Sequence, residues 1–246
     1  MYETVHGLVL RENRYKEADR MLTLLTAEHG LMSVRARGSL RKSSRTSAAG
    51  QPLCYSEFTL FGNRGRWIAE EASCLEQFLG LRQDVAKLAL GVYFAELLHT
   101  VSPEEVPSPE TLSLGLNALY ALSNNLWPDE HVKAVFELRL MACEGFAPEV
   151  AACAVCAKPL EEGFFYPTEG VLLCADCAAN TAGEALRAER AVLQAMRYVL
   201  QSPPKKIYAF ALDGEARNRF FRLCERYAGA QLERSIPSLD YWKSVK

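Results

Sequence analysis

Residues 21–37 read MLTLLTAEHGLMSVRAR. Two apolar runs, Met21 to Thr26 and Leu31 to Arg37, alternate at the period of a half-buried strand, and the turn residues Glu28-His29-Gly30 stand between them. The pattern predicts a β-hairpin whose second strand ends in alternating cations, Arg35 and Arg37. Working outward, Thr4 to Arg11 reads as a preceding strand, and Leu53 to Phe61 and Arg66 to Ser73 as following ones, the last two joined through Gly62-Asn63-Arg64-Gly65. Five short strands within 80 residues close most economically into a small Greek-key barrel, and the OB-fold is the commonest five-stranded form. The segment from Gly38 to Gly50, rich in Ser, Thr, Gly and Arg, is predicted to be a mobile loop between strands three and four.

From Leu79 the period lengthens. Val85, Leu88, Val92 and Ala95 recur at helical spacing up to Ser102-Pro103, and Ser108-Pro109 opens a second helix with Leu112, Leu116 and Leu119 on one face. Asp129 is expected to cap a third that is apolar around much of its circumference as far as Gly145, which predicts a central buried helix. Thr181-Ala182-Gly183-Glu184 has the form of a capping box and predicts a helix running from there to Leu200; Asp213 caps a last helix ending near Gly229. The expected class is α+β multidomain: an OB-fold barrel over 1–78 and an all-α domain over 79–246, with a cysteine-bearing insertion at 150–180.

That insertion contains Cys153-Ala154-Val155-Cys156 and, after 17 intervening residues, Cys174-Ala175-Asp176-Cys177. Doubled C-x2-C pairs at this spacing point to a tetrahedral structural zinc site, because four thiolates close the coordination sphere and leave no position for an activated water. Gly163 to Tyr166 and Gly170 to Leu173 read as the hairpin of a zinc ribbon. Cys54, Cys74, Cys143 and Cys224 are isolated and expected to be small apolar core residues.

Net charge is only -2, yet residues 33–67 hold seven cations (Arg35, Arg37, Arg41, Lys42, Arg45, Arg64 and Arg66) against Glu57 alone. A local excess of this kind marks a face for a polyanion. On a small barrel, cations follow phosphates and flat rings stack on bases, with Tyr55 and Tyr15 as stacking candidates and Phe58, Phe61 and Trp67 assigned to the barrel core. Lys205, Lys206, Arg219, Arg222 and Arg226 form a second cationic cluster near the C-terminus, with Arg219, Arg222 and Arg226 at i, i+3 and i+7. No catalytic constellation is present: Gly38-Ser39-Leu40-Arg41-Lys42-Ser43 has Arg41 where a P-loop needs glycine, and the four histidines are solitary. The chain reads as a non-enzyme, and with neither a signal-peptide pattern nor an apolar run of membrane length it is expected in the cytoplasm.

Glu17-Ala18-Asp19-Arg20 before Leu22 to Thr26, then Glu28-His29-Gly30-Leu31, Ala36-Arg37-Gly38, the strand from Leu53 to Phe61, the long helical region and the four cysteines together resemble the RecO family of bacterial DNA repair proteins. The resemblance covers essentially the whole chain. It implies binding of single- and double-stranded DNA and annealing of complementary strands. It also implies action with RecR, and often RecF, in loading RecA onto strands coated by single-stranded-DNA-binding protein, at the nucleoid and without nucleotide hydrolysis. For Arg219, Arg222 and Arg226 it implies a dock for the acidic tail of single-stranded-DNA-binding protein. Some family members lack the cysteines, which implies that zinc serves the fold. The alternative is a zinc-ribbon regulator or enzyme that uses the metal module directly on nucleic acid; it would need base contacts from 157–173, where Lys158 faces Glu161, Glu162 and Glu169.

Overall fold

The computed structural model describes residues 1–41, 44, 46–63 and 65–246, with Asn63 described by its backbone. The chain divides into two compact units, residues 1–124 with 236–246, and residues 125–235. The change of period at residue 78 therefore lies inside the first unit.

Strands β1 (Tyr2–Tyr15), β2 (Asp19–Thr26), β3 (Gly30–Ala36), β4 (Tyr55–Asn63) and β5 (Arg66–Glu76) form a closed barrel in the order β1-β2-β3-β5-β4. All neighbours are antiparallel except β3 and β5, which pair in parallel, and β4 returns to β1 to close the barrel. This is the OB-type Greek key that the alternation predicts. Val5, Val9, Leu22, Leu24, Met32, Val34, Ala36, Phe58, Leu60 and Ala69 fill the interior. Because side chains alternate across a strand, fixing Met32, Val34 and Ala36 inward turns Ser33, Arg35 and Arg37 outward. Leu8, Val9 and Leu10 are consecutive and all buried, so β1 is covered on both faces. The outer cover comes from α2 (Val85–Val101) on β1 and α3 (Pro109–Ser123) on β2, while α1 (Leu79–Arg82) and the C-terminal α8 (Pro237–Val245) pack on α2. Leu98 on α2 and Leu8 on β1 converge over Gly115 of α3.

Two expectations for this unit are corrected. The buried face of α2 is Ala89, Leu90, Tyr93, Phe94, Ala95, Leu97 and Leu98, so Ala95 of the expected stripe is buried while Val85 and Val92 are exposed. The helix is apolar on nearly every side, so periodicity could not select a face. The segment 38–50, expected to be mobile, is held wherever it is described: Ser39, Thr46 and Ala49 are buried, Leu40 N–H donates to the Ala18 carbonyl at 3.0 Å, and Ser56 Oγ donates to the Ala49 carbonyl at 2.9 Å. Its small residues fit against the barrel where larger ones would not.

In the second unit, α4 (Asp129–Cys143) is the central buried helix that its composition predicts, and α6 (Arg190–Gln201) and α7 (Gly214–Leu232) pack on it. Lys133 is buried on α4 and pairs with Glu137 and Glu225, each at 2.8 Å. Replacing Lys133 would take that partner from Glu137, whose side chain is fully buried. The hairpin β6 (Gly163–Tyr166) and β7 (Val171–Leu173) is joined by a third strand, β8 (Leu186–Ala188), which pairs with β6. Helix α6 therefore starts at Arg190, and the helix expected from Thr181 does not form. Leu186 and Ala188 are taken up by the sheet edge, and that tertiary pairing overrides the local capping signal.

Candidate nucleic-acid interface and metal centre

The outward side chains of β2, β3 and β5 meet the end of β1 in a cleft of about 420 Å³, lined by Tyr15, Met21, Ser33, Arg35, Arg37, Gly65, Arg66, Trp67 and Ile68. The parallel pairing of β3 with β5 sets Arg35 beside Ile68 and so brings Arg66 to the cations of β3, although some thirty residues of chain separate them. Arg37, Arg41 and Arg66 are exposed, and none has a carboxylate within ion-pair distance among the described residues. Arg35 is different. Its Nε and Nη2 donate to Asp19 Oδ2 at 2.8 and 2.5 Å, and its guanidinium carbon lies 5.2 Å from the centre of the Tyr15 ring. Asp19 Oδ1 accepts from the Gly38 amide at 2.8 Å. That amide first, and Arg35 second, hold the Asp19 carboxyl below its ordinary value. Gly38 has φ +62°, a left-handed conformation that glycine adopts without strain, and it turns the chain out of β3 into the segment that follows.

Lys42, Arg45 and Arg64 lie outside the described residues. Tyr55 does not line the cleft. It pairs with Leu8 and Glu76, its ring is 6.4 Å from that of His6, and burial first and Glu28 second raise its hydroxyl pKa. Two contributors went unread in the sequence. Asp19 was noticed only as part of a motif, and its role comes from the turn that returns β2 beside β1. Trp67, assigned to the core, is half-buried; it packs on the barrel interior and also lines the cleft. Its ring approaches Gly62 so closely that a Cβ there would lie 2.9 Å from it. The glycine five residues before the tryptophan was the available signal.

In the second unit the sulfur atoms of Cys153, Cys156, Cys174 and Cys177 all lie within 4.8 Å of one another. A tetrahedral ion held by thiolates at about 2.3 Å sets its sulfurs about 3.8 Å apart, and the Sγ atoms of Cys156 and Cys174 are 3.9 Å apart. The donor set therefore fits a four-coordinate, thiophilic metal ion. Cys153 is buried, which raises its pKa, but backbone amides at Cys156, Cys174 and Val155 outweigh burial and bring it down to about 6. Cys177 is pushed up to about 12, chiefly by its hydrogen bond with Cys174. A divalent cation binding here would displace the remaining thiol protons. Arg197 of α6 fastens the first knuckle to the helices by donating to the carbonyls of Val150 at 2.7 Å, Ala151 at 3.2 Å and Leu160 at 2.6 Å.

The C-terminal cations divide. Arg219 pairs with Glu189 at 2.9 Å and also with Glu215, and Arg226 pairs with Glu184. Arg222 is exposed without such a partner among the described residues, and lines a cleft of about 280 Å³ with Ala185, Leu186, Arg187 and Arg219. Lys205 and Lys206 are exposed on a separate 3-10 turn, residues 204–206, and do not line it.

Fold and site together define an OB-barrel protein with an open cationic cleft, followed by a helical region that carries a four-thiol ribbon. Residues 1–78 match the family model described as Recombination protein O N terminal, and residues 82–240 the one described as Recombination protein O C terminal. The chain belongs to the RecO family. It is 29% identical to the DNA repair protein RecO of Acetivibrio thermocellus and 32% identical to that of Desulforudis audaxviator, in each case over 99% of this chain and 97% of the relative. With the protein of the same name from Exiguobacterium sibiricum it shares 35% identity over 71% of this chain and 70% of the relative. Among the described residues no helix is long and apolar enough to cross a membrane.

Proposed function

We propose that this chain is a DNA repair and recombination mediator that works by binding rather than by catalysis. Residues 1–78 serve as its DNA-binding domain. The observation that carries this reading is the cleft where Arg37 and Arg66, drawn from two segments far apart in sequence, stand exposed beside aromatic rings on an OB-type barrel, with no carboxylate at ion-pair distance among the described residues. Cations without carboxylate partners are available to phosphates and release counterions when they bind them. Backbone contacts of this kind leave base edges open, which is what annealing of complementary strands requires. Arg41, with Lys42, Arg45 and Arg64 from the sequence, extends the same positive run.

The proposal extends to the finer activities that the resemblance implies: annealing, and loading of RecA with RecR, and with RecF where present, onto strands coated by single-stranded-DNA-binding protein, in the cytoplasm at the nucleoid. Of the C-terminal cations Lys205, Lys206, Arg219, Arg222 and Arg226, Arg222 is the proposed dock for the acidic tail of that protein, with Arg219 lining the same cleft. The four cysteines hold one zinc ion in a structural role, consistent with four sulfurs and no open coordination position.

The test measures single-strand binding and annealing for Arg41→Ala/Lys42→Ala/Arg45→Ala and for Cys174→Ser. The loop variant should fold and bind weakly. Normal binding and annealing by the folded loop variant would overturn the assignment of the interface, and a Cys174→Ser chain that folds yet loses DNA would overturn the structural role of the metal.

A further inference from the structure

Arg35 differs in kind from the cations around it. Two of its donors are already engaged by Asp19, a carboxylate whose side chain is only 12% exposed and which also anchors the Gly38 amide. A phosphate arriving at Arg35 would have to share that guanidinium with a second anion fixed beside it. The positive charge is locally neutralised, and swinging the side chain out would take from Asp19 Oδ2 both of its Arg35 donors in a nearly closed position. What the pair does hold is Tyr15. The ring is 41% exposed at the end of β1, lines the cleft, and has the Arg35 guanidinium 5.2 Å and the Lys16 Nζ 5.6 Å from its centre.

We infer that Arg35 is not a phosphate ligand. With Asp19 it is a positioning residue that holds Tyr15 as a shelf for an unpaired nucleobase, while Arg37 and Arg66 take the phosphates. An exposed aromatic ring backed by a planar cation presents flat surface on which any base can stack. Bases inside a duplex already stack on their neighbours and cannot offer a free face, so the shelf biases the cleft towards single strands, whereas the phosphate contacts alone would not. This rests on the proposed DNA-binding function and adds to it a source of strand preference.

The experiment uses the full chain and two labelled oligomers of equal phosphate count, an oligothymidylate and one made of abasic sites, each titrated across a salt series. The unsubstituted protein should bind the oligothymidylate more tightly. Tyr15→Ala should weaken oligothymidylate binding by about tenfold, leave the abasic oligomer unaffected and leave the salt slope unchanged; Tyr15→Phe should restore the loss. Arg35→Gln should reproduce the Tyr15→Ala pattern. Arg37→Ala and Arg66→Ala should each flatten the slope by about 0.7 on both oligomers. The inference is overturned if Arg35→Gln flattens the slope as Arg37→Ala does, or if Tyr15→Ala weakens both oligomers alike. Because Tyr15 is exposed, its variant keeps the test alive even if Arg35→Gln fails to fold. Those outcomes leave the DNA-binding function standing; failure of the unsubstituted protein to bind either oligomer removes both.

Discussion

The barrel cleft and helix α7 carry cation clusters that look alike in the sequence and differ in what surrounds them. On the barrel, Arg37, Arg41 and Arg66 face solvent with no carboxylate at ion-pair distance among the described residues. On α7, Arg219 is flanked by Glu189 and Glu215, and Arg226 by Glu184. A cation that the fold has already paired is a poor ligand for a polyanion, since binding one means competing with a neighbouring carboxylate. Charge along the chain therefore marks a binding face only where the fold brings no acids to it. In the barrel cluster the fold brings Asp19 to Arg35 and leaves Arg37, Arg41 and Arg66 open among the described residues. The α7 cluster meets acids 30 and 42 residues upstream, delivered by the segment that enters β8 and α6.

The division of labour breaks most visibly at the metal. Cys174→Ser should lower the metal content, read by elemental analysis, from one ion per chain towards none and make residues 150–180 protease-sensitive, because metal-binding energy at such sites is folding energy, about 10–16 kcal/mol in isolated zinc modules. DNA affinity should change by less than about twofold, as expected for sites with no shared partners. Specific loss of DNA binding by a folded variant would move the interface to the ribbon.

Next in size is Asp19. Asp19→Asn should cost roughly 1.5–3 kcal/mol in denaturant unfolding of the first unit, the range for hydrogen bonds to a charged group. The Asp19 carboxyl is depressed below 3.8, so its stabilisation is complete above that pH and is lost as pH falls through the lower, folded value. The variant should lack this part of the acid limb. An identical loss of stability below pH 3.8 in both proteins would show that the Asp19–Arg35 pair is not what sets the first unit's acid response. Smaller again is Arg37→Ala/Arg66→Ala, which should flatten the single-strand salt slope by about 1.4, two phosphates at 0.7 each, with the melting temperature unchanged.

How much could be read beforehand follows the same line. The barrel strands and the hairpin at 163–173 were legible because alternation and turn residues are local properties, and the metal centre because each C-x2-C turn aims its own two thiolates. The partners of Arg35, the half-exposure of Trp67 and the pairing of Leu186 and Ala188 with β6 depend on which strands lie side by side. No local pattern carries that information. The helix expected from Thr181 fails for this reason: its capping signal competes with a sheet edge that exists only after β6 has folded.

Within the α7 cluster the contrast between open and paired cations can be tested at its weakest point. The side chains of Arg226 and Glu184 are 54% and 42% exposed, so their pairing, though bidentate, is worth no more than about 1 kcal/mol. Arg226→Ala should therefore shift thermal unfolding only slightly, and it should not change the affinity for an acidic peptide, because Glu184 already occupies that guanidinium. Arg222 has no carboxylate at ion-pair distance among the described residues, although its charge joins that of Arg226 in lowering the Glu184 carboxyl, and it lines the cleft beside Leu186, where a peptide carboxylate and an apolar side chain could bind together. Arg222→Glu should abolish peptide binding in a titration calorimeter while leaving the fold intact. If Arg226→Ala weakened the peptide as much as Arg222→Glu, pairing with a surface carboxylate would not be enough to silence a cation, and the distinction between the two faces would rest on geometry rather than charge.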